Sequence, residues 1–400
     1  MDFAEKIKTK TGMIDEDRWR DNYIIVLSAI LLSVLTSILF YMQTLNIEGS
    51  YGSDLPSHIS YALTQDNYSI VFLLIKWIYT GTHYLNYSIG LLDGLTVGAA
   101  FLCTTFTVRR LFPLSKWTSM AIAFGLLMLT HIYIPVLFPR YYMGSLLSQP
   151  WHNITYNFMR PFAVLTMCAF ARLHEIYKNE KRISWKYWIC TCICLVLSTV
   201  VKPNFLMGFA PALLVFLLID FFGKRNTFKN EFILGTVVLP AAAVLPIQAL
   251  LLFNEENGII FAPSIFFFSE GMLIFLMKFL TALPFPVMVY IYNRRRLING
   301  AGIAAWGYFW AVMEGMFIME SGMRMTHGNF MWGVEIMGYI LFMYCVPMFI
   351  RDFNEYRSGG AGRTAVRRAY IICGFILMAC HLMTGLVYFI KICHGEWYYI

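Results

Sequence analysis

Apolar stretches long enough to cross a bilayer recur from one end of this 400-residue chain to the other. A crossing helix needs about 17–25 apolar residues without fixed charges. By that rule candidates lie near 23–42, 84–107, 117–136, 156–173, 187–201, 204–222, 232–252, 271–292, 300–318, 331–350 and 369–391. The run through 187–222 is interrupted by Lys202-Pro203-Asn204, a turn that divides it into two helices. Ile70–Tyr79 is too short to cross and carries Lys76, which predicts a helix lying at the interface. The expected fold class is all-α: a polytopic transmembrane bundle of about eleven spans, with interfacial helices in the first outer loop. Three regions are expected: a cytoplasmic N-terminal segment (1–22), a transmembrane module (23–225) whose first outer loop is 43–83, and C-terminal transmembrane helices (226–400).

Composition narrows the class. Hydrophobic residues make up 58% and charged residues 14%, against about 25% charged in soluble domains. That excludes intrinsic disorder and a soluble enzyme on a single anchor. The nine cysteines lie mostly inside apolar runs, and Cys190, Cys192 and Cys194 turn about 200° apart on a helix. Such thiols do not converge on a metal, and they read as small packing residues.

The net charge of +8 gains meaning from its placement. With the N-terminus cytoplasmic and the C-terminus outside, inner segments hold 24 of the 31 basic residues. This satisfies the positive-inside rule and implies no nucleic acid. If Ile70–Tyr79 crossed, Arg109 and Arg110 would face outward. The remainder, Lys76, Arg140, Arg160, Lys202, Lys278, Arg324 and Lys391, are outer cations that need either an anionic ligand or lipid phosphates to snorkel toward. Lys278 and Lys391 fit snorkelling. Arg140, Arg160, Lys202 and Arg324 sit in denser polar contexts.

Polar chemistry collects in four outer places. In the first loop, Asp54 is placed to cap a helix with Pro56 near its start, and His58 follows one turn later on the same face. A carboxylate and an imidazole so spaced can deprotonate a hydroxyl, or can simply be a cap and an exposed histidine. The second group is Trp151, His152, Asn153 and Tyr156, which suits either a sugar or an interfacial aromatic belt. The third is Lys202, a point charge for phosphate. The fourth is Glu314, Glu320, Arg324, His327, Asn329 and Trp332, where Glu320 and Arg324 at i,i+4 can also pair with each other. Asp93, an acid inside a span, is a further candidate. No P-loop, HExxH or DxD motif is present, so no cofactor is implied and a divalent metal stays open.

Together these features resemble the GT-C superfamily of polytopic membrane glycosyltransferases. The resemblance rests on the first span, the acidic outer loop with its interfacial helix, the basic Arg109-Arg110 end of the next span, and Lys202-Pro203. It covers about the first 225 residues, and it departs from the family in having one loop aspartate rather than an acidic pair. The resemblance implies an inverting transferase in a bacterial plasma membrane, serving cell-envelope or surface-glycan assembly. A polyprenyl-phosphate-linked sugar would be the donor and a glycan or lipid-linked molecule the acceptor. Asp54, with His58, would be the base. Lys202, Arg140, Arg160 and Arg324 would bind donor phosphate, and Trp151, His152, Asn153, Tyr156, Glu320, His327, Asn329 and Trp332 would bind sugar or acceptor. A lipid-linked glycan polymerase or ligase, and a transporter or flippase of such glycans, fit many of the same features. An O-acyltransferase fits less well, because its donor enters from the cytoplasm.

Overall fold

The computed structural model describes all residues except 1–2, 46–50, 65–68, 139–145, 148–150, 225–227, 253–257, 269–270, 296, 298–299, 323–324, 326–327, 360–363 and 397–400. Arg140, Arg324 and His327 lie outside the described residues. The chain forms helices α1 (Phe3–Leu45), α2 (Leu55–Thr64), α3 (Ile70–Thr82), α4 (Leu85–Leu111), α5 (Lys116–Met128), α6 (Ile154–Glu180), α7 (Trp185–Val201) and α8 (Asn204–Lys224). Then follow α9 (Phe228–Gly235), α10 (Leu239–Ala242), α11 (Val244–Leu252), β1 (Ile259–Phe261), α12 (Ile265–Phe268), α13 (Met272–Ala282) and α14 (Pro284–Asn293). The last elements are α15 (Ala301–Phe317), β2 (Ile318–Glu320), α16 (Trp332–Arg357) and α17 (Ala365–Cys393). Antiparallel pairing of β1 with β2 is an addition to the all-helical expectation.

Among the described residues, six helices are long and apolar enough to cross a membrane, and a seventh span arises if α13 and α14, bent by 54°, count as one. The protein is thus built as a polytopic helical membrane protein. Several other expected spans are not long apolar helices: α5 has 13 residues and α7 has 17.

α5 shows why. The expected helix over 117–136 ends at Met128, and the chain continues extended into the bundle. Thr130, Ile132 and Ile134 are β-branched and Pro135 follows, a run that disfavours helix. In a dry interior the freed backbone groups need partners. They find them: His131 N donates to Leu147 O, Ile132 N to Thr281 O, Tyr133 N to Thr384 Oγ1, and Thr130 O accepts from His381 Nδ1.

α16 is the axis of the bundle: 94% of an 18-residue apolar window within Asn329–Arg357 is buried, against 22% of the corresponding window in Phe228–Leu251. α1 meets α4 through Gly90, Gly94 and Gly98, which share one helical face. A Cβ at Gly94 would meet Ser33 O at 2.5 Å, and one at Gly98 would meet Ala29 O at 2.7 Å. Small residues permit this backbone approach where lipid offers no hydrophobic drive. This contact fixes α1, and the chain that follows it, against α4.

Candidate functional site

The site is assembled at one end of the bundle from four separate stretches of sequence. α2 starts after Ser53-Asp54, where Leu55 N donates to Ser53 Oγ at 3.2 Å. Ser53 is itself fixed by donating to Gln43 Oε1 at 2.9 Å. The Asp54 backbone carbonyl accepts the first helical bond, from His58 N, at 2.9 Å. Its carboxylate turns toward the bundle, where Oδ2 lies 3.7 Å from His152 Nε2. Asp54 acts electrostatically on His58, its expected partner, and His152 from the segment before α6 is a second imidazole facing the carboxylate. His58 tilts against Phe72 of α3 at 5.5 Å, and its buried Nδ1 has no hydrogen-bond partner among the described residues.

Asn153 is the N-cap of α6. Its Oδ1 accepts from Tyr156 N at 2.9 Å and from Thr155 Oγ1 at 2.8 Å. That oxygen is therefore engaged in the fold rather than turned to a ligand. Thr155 in turn accepts from Lys202 Nζ at 3.0 Å. Lys202 is at the end of α7 because Pro203 cannot continue the hydrogen-bonded ladder. Its ammonium lies 4.4 Å over the Trp332 ring, and that ring lies 6.2 Å from His152 and 6.1 Å from Tyr156. Asn204 Nδ2 donates to Asn329 O at 2.7 Å, tying the start of α8 to the stretch that leads into α16.

The electrostatics follow from this crowding. Burial pushes both His58 and His152 down to about 4, against the pull of Asp54 and with Lys202 reinforcing the shift. Both imidazoles are therefore neutral at pH 7, leaving Lys202 as the cation beside Asp54. A carboxylate, neutral imidazoles and an ammonium on an indole face can accept a proton and hold an anion side by side. Among the described residues no group of three His, Cys, Asp or Glu side chains is placed to hold a metal ion.

The remaining expected residues fall elsewhere. Trp151 is core, packed on Phe389 of α17 at 4.7 Å. Glu320 and Asn329 line a small pocket with Ser264, Gly315, Phe330 and Met331. Asn329 Nδ2 donates to Glu320 Oε2 at 2.5 Å, and the expected pairing of Glu320 with Arg324 lies outside the described residues. Arg160 is buried deeper, between the Tyr156 and Tyr339 rings at 4.9 and 5.4 Å, and it donates to Asn157 Oδ1 at 2.5 Å. Asn157 Nδ2 donates to Asp93 Oδ1 at 2.9 Å. Thr155, Asn157 and Tyr339 were missed by the sequence reading. Asn157 and Arg160 lie three apart on one helix, a signal that was available.

No protein-family model matches this chain, and no curated protein matches it.

Proposed function

We propose that this protein is an inverting membrane glycosyltransferase that moves a sugar from a polyprenyl-phosphate donor to a glycan or lipid-linked acceptor on the outer face of a bacterial plasma membrane. In this reading the chain crosses eleven times, N-terminus inside, and α2 and α3 lie at the outer interface. The observation that carries it is the placing of the Asp54 carboxylate 3.7 Å from a buried neutral His152, beside Lys202 held on Trp332. Asp54 takes the proton of the acceptor hydroxyl as its oxygen attacks the anomeric carbon. The bond to the phosphate oxygen breaks with its electron pair, and Lys202 stabilises the charge that grows on that oxygen. His152 holds the carboxylate in place, and the Trp332 ring offers a sugar an apolar face.

The test is release of polyprenyl phosphate by the purified protein in nanodiscs. Asp54→Asn is expected to lower acceptor-dependent release by about 10²–10⁴, and Lys202→Ala by about 10² or more. Full turnover by Asp54→Asn overturns the assignment. The interrupted α5 and the bent α13–α14 pair favour a second reading, a transporter of lipid-linked glycans, since broken spans line transport sites. Donor binding without turnover in the wild type, with uptake into vesicles, would establish that reading instead.

A further inference from the structure

Directly beneath this site, α4, α6 and α16 enclose polar groups that the fold does not satisfy. Asp93 is fully buried and Arg160 is 2% exposed. Of the guanidinium, Nη2 is engaged by Asn157, while Nε and Nη1 have no hydrogen-bond partner among the described residues. Asp93 mirrors it: Oδ1 is met by Asn157 Nδ2 and lies 3.3 Å from Thr96 Oγ1, whereas Oδ2 has none. One amide thus bridges a half-satisfied cation and a half-satisfied anion. Leaving buried donors and acceptors unmade is costly, and more so when they are charged. Two tyrosine faces flank the open donors, and Tyr339 is held by a 2.7 Å hydrogen bond with Thr104.

We infer that Asp93 and Arg160, its guanidinium held on the Tyr156 and Tyr339 rings, form a subsite for a neutral polyhydroxyl ring, the sugar of the donor, beneath the phosphate position at Lys202. This rests on the transferase reading and assigns Arg160 a different part from the phosphate contact expected of it. The charge inventory excludes that contact. Asp93, joined through Asn157, already balances the guanidinium, and Tyr156 OH donates to the backbone carbonyl of Glu335, a buried acid on α16. A phosphate here would face carboxylates in a low-dielectric interior, where like charges repel strongly. A hydroxyl has no such penalty, because it donates to Asp93 Oδ2 and accepts from Arg160 Nε or Nη1 at once.

The experiment measures the unfolding midpoint of the full chain in nanodiscs against free neutral hexoses and N-acetylhexosamines, and against inorganic phosphate. At least one neutral sugar is expected to raise the wild-type midpoint. Asp93→Asn, which keeps the shape, and Arg160→Lys, which keeps the charge but loses the fork, should each weaken the apparent sugar affinity about tenfold or more while sparing the phosphate response. Lys202→Ala should do the reverse. The subsite is overturned if no neutral sugar acts on the wild type, if both variants bind sugar as the wild type does, or if phosphate binding depends on Arg160. Where Arg160→Lys does not fold, Asp93→Asn decides. Sugar binding through Asp93 with no transfer overturns the transferase alone, and Asp54-dependent transfer indifferent to Asp93 overturns the subsite alone.

Discussion

Two buried polar clusters lie at opposite ends of α16, whose 26 residues span about 39 Å, and they are built in contrasting ways. At the far end, Asp352 is fully buried and each of its carboxylate oxygens is engaged. Oδ2 accepts from Asn293 Nδ2 at 2.6 Å and Tyr370 OH at 2.9 Å, and Oδ1 accepts from Arg351 Nη2 at 3.2 Å. Arg351 also donates to Asn293 Oδ1, and Arg367 donates to the Asp352 carbonyl, with its Nε the exception to the pairing. At the near end, Asp54 is partly exposed, and His58 Nδ1, Asp93 Oδ2 and two Arg160 nitrogens are open. The far network ties α14, α16 and α17 together and, among the described residues, leaves Arg367 Nε alone unpaired while every carboxylate oxygen of Asp352 is met. An open one sacrifices stability for atoms that a ligand can use.

The contrast is sharpest in stability. Asp352→Ala would strand Asn293, Tyr370 and Arg351 around an empty acceptor. It is expected to cost about 3–5 kcal/mol, the usual cost of breaking a buried charged network. Asp54→Ala, at a carboxylate 37% exposed, is expected to cost about 1 kcal/mol or less. Unfolding midpoints in nanodiscs measure both. Equal losses would mean that Asp54 is a structural residue and the comparison fails.

How far each cluster was legible in the sequence differs for physical reasons. Asp54 and Lys202-Pro203 stood out because each is polar chemistry at an abrupt break in apolar sequence. The break at Lys202 falls where the apolar run predicted it, between α7 and α8. His152 was visible only as one of several polar residues before α6. Its pairing with Asp54 depends on how the α5–α6 connection folds back, which periodicity does not encode. The Asp352 cluster was invisible, since Asn293, Asp352 and Tyr370 are ordinary residues at the ends of three helices until packing unites them. The end of α5 was misread because apolar content outweighed its β-branched run before Pro135.

A smaller effect follows from pH. His152 is 2% exposed and burial pushes it to about 4, against an ordinary value of 6.5. A group held below its unfolded value binds a proton more readily when the chain unfolds. Its contribution is therefore full above about 6.5 and is lost as the pH falls toward 4, on the order of 3 kcal/mol at most. His152→Gln should flatten the decline of the midpoint between pH 6.5 and 4. An unchanged slope would show that His152 protonates freely in the folded protein, and the near end would lose its neutral imidazole.

The smallest effect tests whether the far cluster is truly closed. Tyr370→Phe removes one hydroxyl donor and leaves the ring, which stacks on Tyr292 at 3.8 Å, in place. Asp352 Oδ2 keeps Asn293 at 2.6 Å, so the carboxylate is not stranded. The expected loss is about 1.5 kcal/mol, the low end for a hydrogen bond to a charged group, because the acceptor retains another donor. On the proposed transferase reading, acceptor-dependent transfer normalised to folded protein should be unchanged, because α16 still presents Trp332 and Tyr339 at its other end. A transfer defect beyond the loss of folded protein would mean that the two ends communicate along α16, and that the far cluster is part of the machinery rather than a clamp.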